Sequence, residues 1–159
     1  MIHVRVQPGE FDLGEEMQRL CDGRTSVGAV ASFVGLVRDS NQVAGQASDV
    51  ATMTLEHYPG MTEKALQRIA GQAAQRWQLQ GVSIVHRIGD LHPGDPIVLV
   101  LSAAPHRQDA FDACQYIMDI LKTEAPFWKK ERLGDGSERW VASRESDAES
   151  ASRWDDDGF

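Results

Sequence analysis

Residues 107–124, RQDAFDACQYIMDILKTE, repeat apolar side chains on one helical face, and a proline two residues later stops that helix. Ala110, Phe111, Cys114, Ile117, Met118 and Leu121 recur at i, i+3 and i+4, the period of a helix lying on a core. Pro126 lacks an N–H and pushes Ala125 out of helical geometry, so the helix is expected to end there. FWKKERL (127–133) and SERWVAS (137–143) then flank Gly134-Asp135-Gly136, the pattern of a β-hairpin.

The rest of the chain reads as strands mixed with two more helices. IHVRV (2–6) alternates as a short strand, and Asp12 is placed to cap a helix running to about Cys21 with Leu13, Met17 and Leu20 on one face. VGAVASFVG (27–35) and VATMTLEHY (50–58) read as strands, the second with Met53 and Leu55 on one face; the polar stretch 36–49 between them, with Gly45, reads as a mobile loop. Pro59-Gly60 breaks the chain before a helix from about Met61 to Trp77, with Leu66, Ile69, Ala70, Ala73 and Trp77 as its stripe. Strands 82–89 and 96–104 follow, joined by the turn DLHPGD. The pattern predicts an α+β fold with an antiparallel or mixed sheet. Residues 1–145 are expected to form a single domain. The acidic stretch 146–159, poor in apolar residues, is expected to be a flexible tail.

Sixteen Lys and Arg against twenty-four Asp and Glu give a formal charge of −8, which disfavours broad binding to nucleic acid or anionic membrane. It leaves room for a small anion in a local basic pocket, since six of the acids lie between Glu145 and Asp157. No apolar stretch reaches the length of a membrane span and MIHVRVQPGE has no signal-peptide core, so a cytoplasmic protein is expected. Cys21 and Cys114 form no CxxC, and Cys114 sits on the apolar stripe as a core residue.

Cations gather at the ends of elements. Lys122 falls in the last turn of the 107–124 helix, where a lysine complements the macrodipole and contributes about 0.3–1 kcal/mol. Lys129 lies beyond Pro126, where alternation puts Phe127, Lys129 and Glu131 on one face and Trp128, Lys130 and Arg132 on the other. The two lysines are either surface charges, Lys129 paired with Glu131, or two walls of a pocket for an anion. His106 and Arg107 open the same helix, either as a surface pair or as part of an anion site at its N–H groups. Arg38 follows the strand 27–35, and His57 ends the strand 50–58. The histidines at 3, 57, 86, 92 and 106 have no metal-ligand spacing, and no dinucleotide, phosphate-loop or nucleophile-elbow motif occurs, so neither metal nor cofactor is expected. From the residues alone, an anion-binding site is supported and no reaction is named.

The motifs LEHYPGMTEKAL (55–66), HRIGDLHPGD (86–95), PHRQDAF (105–111), IMDILKTEAPFWKKE (117–131) and RWVASRESD (139–147) resemble the catalytic (large) subunit of molybdopterin synthase, the MoaE family. The resemblance runs from about residue 27 to 147. It implies an α/β hammerhead-like fold with an additional antiparallel sheet and the C-terminal hairpin. It also implies a sulfurtransferase of molybdenum cofactor biosynthesis. Such enzymes convert cyclic pyranopterin monophosphate (precursor Z) to molybdopterin by installing two dithiolene sulfurs. The sulfur comes from a small ubiquitin-like subunit whose C-terminal Gly-Gly carries a thiocarboxylate. Two large subunits form a central homodimer and a small one docks at each end, giving a heterotetramer.

Position by position, the family's two key lysines fall on Lys122 and Lys129, its pocket arginine on Arg38 and its His-Arg pair on His106 and Arg107, with Glu131 as a supporting partner behind them. A pocket receiving a cyclic phosphate and a thiocarboxylate needs fixed positive charge, which Arg38, His106, Arg107 and the two lysines are expected to supply. The competing readings are a non-catalytic module that holds a ubiquitin-like partner, and a phosphodiesterase using His106. An apolar strand or hairpin surface, such as that around Trp140, is a candidate homodimer contact.

Overall fold

The computed structural model describes residues 1–43, 46–142 and 145–155, with backbone alone for 41–43 and 46–48. Gly45 and residues 156–159 of the expected tail lie outside the described residues.

The first sheet has the order β1 (Ile2–Gln7), β5 (Gly81–Arg87), β7 (Pro96–Ala104), β2 (Ala29–Leu36); β1 runs parallel to β5 and the other pairs are antiparallel. Every residue of β5 is buried, because helices cover both faces of the sheet. Helices α2 (Met61–Arg76) and α3 (Arg107–Glu124) cover one face, where Leu66, Ile69, Ile117 and Leu121 meet Val82, Ile84, Val98 and Val100. On the other face Leu20 of α1 (Leu13–Cys21) packs against Val85, Leu99, Leu101 and Ala103. The expected Asp12 cap is present, the Glu15 N–H donating to the Asp12 carboxylate at 2.8 Å; at the start of α2 the Gly60 N–H donates to Glu63 at 2.7 Å, a cap the sequence reading did not name. Gly60 takes φ +84°, a conformation that glycine alone adopts without strain.

Two residues connect β7 to α3, so α3 folds back along β7. The Ser102 hydroxyl donates to the Ala110 carbonyl at 2.6 Å and fixes its start. The end of α3 therefore lies over the Pro96 end of the sheet. Cys114 is buried on the helical stripe, and burial pushes its thiol up to about 11, which makes it an inert core group.

The second sheet has the order β3 (Ser40–Val43), β4 (Gln46–His57), β8 (Phe127–Leu133), β9 (Glu138–Val141), and the short β6 (Gly89–Leu91) also pairs with β4. All its pairings are antiparallel, and β8 and β9 form the expected hairpin. Met53 and Leu55 share one buried face with Val37 and Leu91.

One expectation is corrected. The stretch 36–49 is not a loop throughout: Ser40–Val43 and Gln46–Asp49 pair as an antiparallel β-ladder. Backbone hydrogen bonding satisfies this polar segment where apolar alternation gave no signal. Glu145–Ser152 form α4, and Trp154 lies edge-on to Trp77 at 5.7 Å and Tyr116 at 5.5 Å. One aromatic anchor replaces the apolar stripe that the helix lacks.

The core assignment predicts that Ile117→Ala, at a fully buried position, costs about 2–5 kcal/mol, whereas Phe111→Ala, on the exposed side of α3, costs under about 0.5 kcal/mol. Urea unfolding of both variants checks this; equal losses would contradict it.

Candidate active site

The break at Pro126 brings the two sheets together. Ala125, the C-cap of α3, is extended at ψ 127°, as a residue before proline must be. The buried Thr62 hydroxyl accepts from the Tyr58 N–H at 3.0 Å and donates to the Pro126 carbonyl at 3.0 Å, tying the turn to the start of α2. Phe127 then stacks on His86 with ring centroids 3.7 Å apart and planes within 18°. His86 belongs to the first sheet and Phe127 opens β8 of the second, so this stack is a joint between them.

Beyond the joint, the expected alternation holds. Phe127 faces His57, Lys129 faces Leu55 and Glu131 faces Met53 across the β4–β8 ladder. Lys129 is therefore half-buried on the inner face, next to Leu55. Glu131 is 1% exposed, and its carboxylate lies 3.6 Å from the Arg139 guanidinium. Lys122, 45% exposed at the end of α3, lies 3.8 Å from the carboxylate of Asp147 in α4. Arg38 is exposed, and its backbone is fixed on both sides. The Val37 N–H donates to the Asp95 carbonyl at 2.9 Å, and the Asp39 carbonyl accepts from Val50 at 2.8 Å.

Leu36 pairs with Pro96, α3 ends over that same end of β7, and the Phe127–His86 stack brings Lys129 beside the β5 end paired with Val98, so Arg38, Lys122 and Lys129 lie toward one end of the first sheet. His106 and Arg107 do not join them. They are exposed at the opposite end of α3, and fifteen residues of helix put Arg107 about 22 Å from Lys122. The one-pocket grouping expected from the sequence is thus not met within a single chain.

Two neighbours of Lys129 carried no sequence signal beyond their type. His86 is buried, and its Nδ1–H donates to the Arg87 carbonyl at 2.8 Å. Burial first, then the positive field of Lys129 and His57, lowers its pKa to about 4, so it is neutral at working pH. His57 lies 3.5 Å from Glu63, which also caps α2. The opposite face of β8 is different in kind. Lys130 and Arg132 lie 3.7 and 3.2 Å from Glu138 and line a polar cleft of about 210 Å³ with Thr52, Asp90 and His92. Its two cations share the Glu138 carboxylate. Among the described residues no group of three His, Cys, Asp or Glu side chains is placed to hold a metal ion, and no helix is long and apolar enough to cross a membrane.

Residues 6–124 match the family described as MoaE protein. The chain belongs to the MoaE family. Relatives agree over nearly the whole length. A protein of Pseudomonas aeruginosa named molybdopterin synthase catalytic subunit is 54% identical over 153 residues, which cover 96% of this chain and 99% of the relative. A solved MoaE protein of Burkholderia ambifaria is 51% identical, with a TM-score of 0.81 over 98% of this chain and 99% of that one. Molybdopterin synthase of Staphylococcus aureus, 31% identical, superposes with a TM-score of 0.73 over 88% of this chain and 96% of that one. The α+β architecture, with its second antiparallel sheet, is thus shared by MoaE structures.

The buried, neutral His86 sets a pH dependence. Its folded value of about 4 lies below the unfolded value of 6.5, so the unfolded chain takes the proton first as pH falls. Its share of stability is intact above about pH 6.5 and is lost toward pH 4, by up to about 3 kcal/mol. His86→Phe keeps the stack on Phe127 and removes the titration. Urea unfolding at pH 7 and pH 4.5 is expected to show a smaller acid loss in the variant than in the wild type; equal losses would contradict the assignment.

Proposed function

We propose that the protein is the catalytic subunit of a molybdopterin synthase, a sulfurtransferase acting in the cytoplasm. It converts cyclic pyranopterin monophosphate to molybdopterin with sulfur from the thiocarboxylated C-terminus of a small ubiquitin-like subunit. The observation that carries this reading is the placing of Lys122 and Lys129, from two different elements, with Arg38 at one end of the first sheet. Near-full-length similarity to molybdopterin synthase catalytic subunits supplies the reaction.

Both reactants are anions, and opening the cyclic phosphate and expelling oxygen develop further negative charge. Cations fixed in advance stabilise that charge more than mobile water does. In this reading Lys122 and Lys129 are the catalytic cations and proton carriers, and Arg38 binds the phosphate by its planar fork. Glu131 holds β9 to β8 behind Lys129 through Arg139. His106 and Arg107, about 22 Å from Lys122, serve the same pocket only from a second copy, which fits a homodimer at the centre of a heterotetramer. Trp140, 59% exposed on the edge strand β9, is a candidate contact between copies.

Lys122→Ala and Lys129→Ala are each expected to lower single-turnover dithiolene formation by about 10²-fold or more, the scale for loss of one preorganised group. Thermal melts stay near the wild type, because partly exposed lysines contribute little to stability. Arginine at either position does not restore the rate. Deleting the partner's last two glycines abolishes transfer. Near-normal turnover in both alanine variants would contradict the catalytic role. Ring opening without sulfur would favour a phosphodiesterase, and ligand binding without reaction a binding module.

A further inference from the structure

Helix α4 has no buried residue and only eight residues, too short to stand in water alone. What holds it is Trp154, just past its end. The Trp154 indole N–H donates to Asp119 of α3 at 2.8 Å, and its ring meets Trp77 and Tyr116 edge-on. The Arg76 guanidinium lies 5.3 Å from the centre of that ring, and Arg153 adds an ion pair to Asp119 at 3.7 Å. Asp119 and Lys122 are one turn apart on the same face of α3. An anchor at Asp119 therefore sets the other end of α4 over Lys122, and Asp147 in its first turn meets the ammonium at 3.8 Å.

We propose that Asp147 is a positioning residue for Lys122, held in place by α4 and its Trp154 anchor. This rests on the catalytic reading of Lys122 given above. The magnitudes favour position over stability. An ion pair with one partner 45% and the other 20% exposed adds little to the fold. A lysine on a four-carbon stem has wide rotamer freedom, and a misplacement of about 1 Å in a catalytic group costs as much as 10²-fold in rate.

The charge sign makes the idea separable from mere proximity. A carboxylate that only lies beside an anion pocket repels the ligand, so removing it lowers KM and leaves kcat alone. A carboxylate that aims Lys122 has the reverse signature, with kcat falling and KM staying put.

The test measures kcat and KM with cyclic pyranopterin monophosphate and thiocarboxylated small subunit for Asp147→Asn, Asp147→Glu and Trp154→Ala. Lys122→Ala is measured alone and combined with Asp147→Asn. Asp147→Asn is expected to lower kcat about tenfold at unchanged KM and unchanged thermal midpoint. Asp147→Glu restores most of the rate, and Trp154→Ala, which unfastens α4, lowers kcat as Asp147→Asn does. In the Lys122→Ala background the Asp147 change has no further effect. The inference is overturned if kcat of Asp147→Asn is unchanged or raised, if the loss persists in the Lys122→Ala background, or if Trp154→Ala keeps the full rate. Full activity of Lys122→Ala alone would instead remove the catalytic reading on which the inference rests, while an inactive Lys122→Ala beside a normal Asp147→Asn removes the inference only.

Discussion

The carbonyl of Pro126, held by the hydroxyl of Thr62, is the contact on which the candidate site depends. Proline ends α3 and forces Ala125 to extend, but it does not choose where the chain goes next. Thr62 does, because its hydroxyl is buried and bonded on both sides, to Tyr58 and to Pro126. Losing it leaves the part-buried Tyr58 N–H and Pro126 carbonyl without that partner. With the turn fixed, Phe127 meets His86, β8 pairs with β4 in the register that puts Lys129 opposite Leu55, and α3 delivers Lys122 to the same end of the sheet.

Electrostatics then works locally. A chain of formal charge −8 presents cations at the end of one sheet by drawing them from separate elements: Arg38 after β2, Lys122 from α3 and Lys129 from β8. The neighbouring histidine does not add to that charge, since burial keeps His86 neutral. Acidic groups nearby are committed to particular partners: Glu131 to Arg139, Glu63 to His57 and the α2 cap, Asp147 to Lys122.

Much of this was legible in the sequence. The helix 107–124, its stop at Pro126, the hairpin 127–141 and the inner-face set Phe127, Lys129 and Glu131 follow from periodicity and from what proline forbids. The β3–β4 pairing was not, because a polar ladder such as that of Ser40–Val43 has no apolar alternation to give it away. Nor was α4, whose order comes from Trp154 meeting Trp77 and Tyr116, residues distant in sequence. The separation of His106 and Arg107 from the lysines was hidden for a related reason. Residue types suggest a shared ligand, but only the straight run of α3 shows that Arg107 and Lys122 stand about 22 Å apart.

The central claim is that Lys122 and Lys129, on different elements, face one ligand. ¹⁵N-lysine spectra recorded during titration with cyclic pyranopterin monophosphate test it most directly, with each side-chain signal assigned from single Lys→Arg variants. The account predicts that both signals shift along one binding isotherm with the same Kd, while the Lys130 signal on the opposite face of β8 stays in place. Shifts confined to one of the two lysines, or two different isotherms, would contradict it.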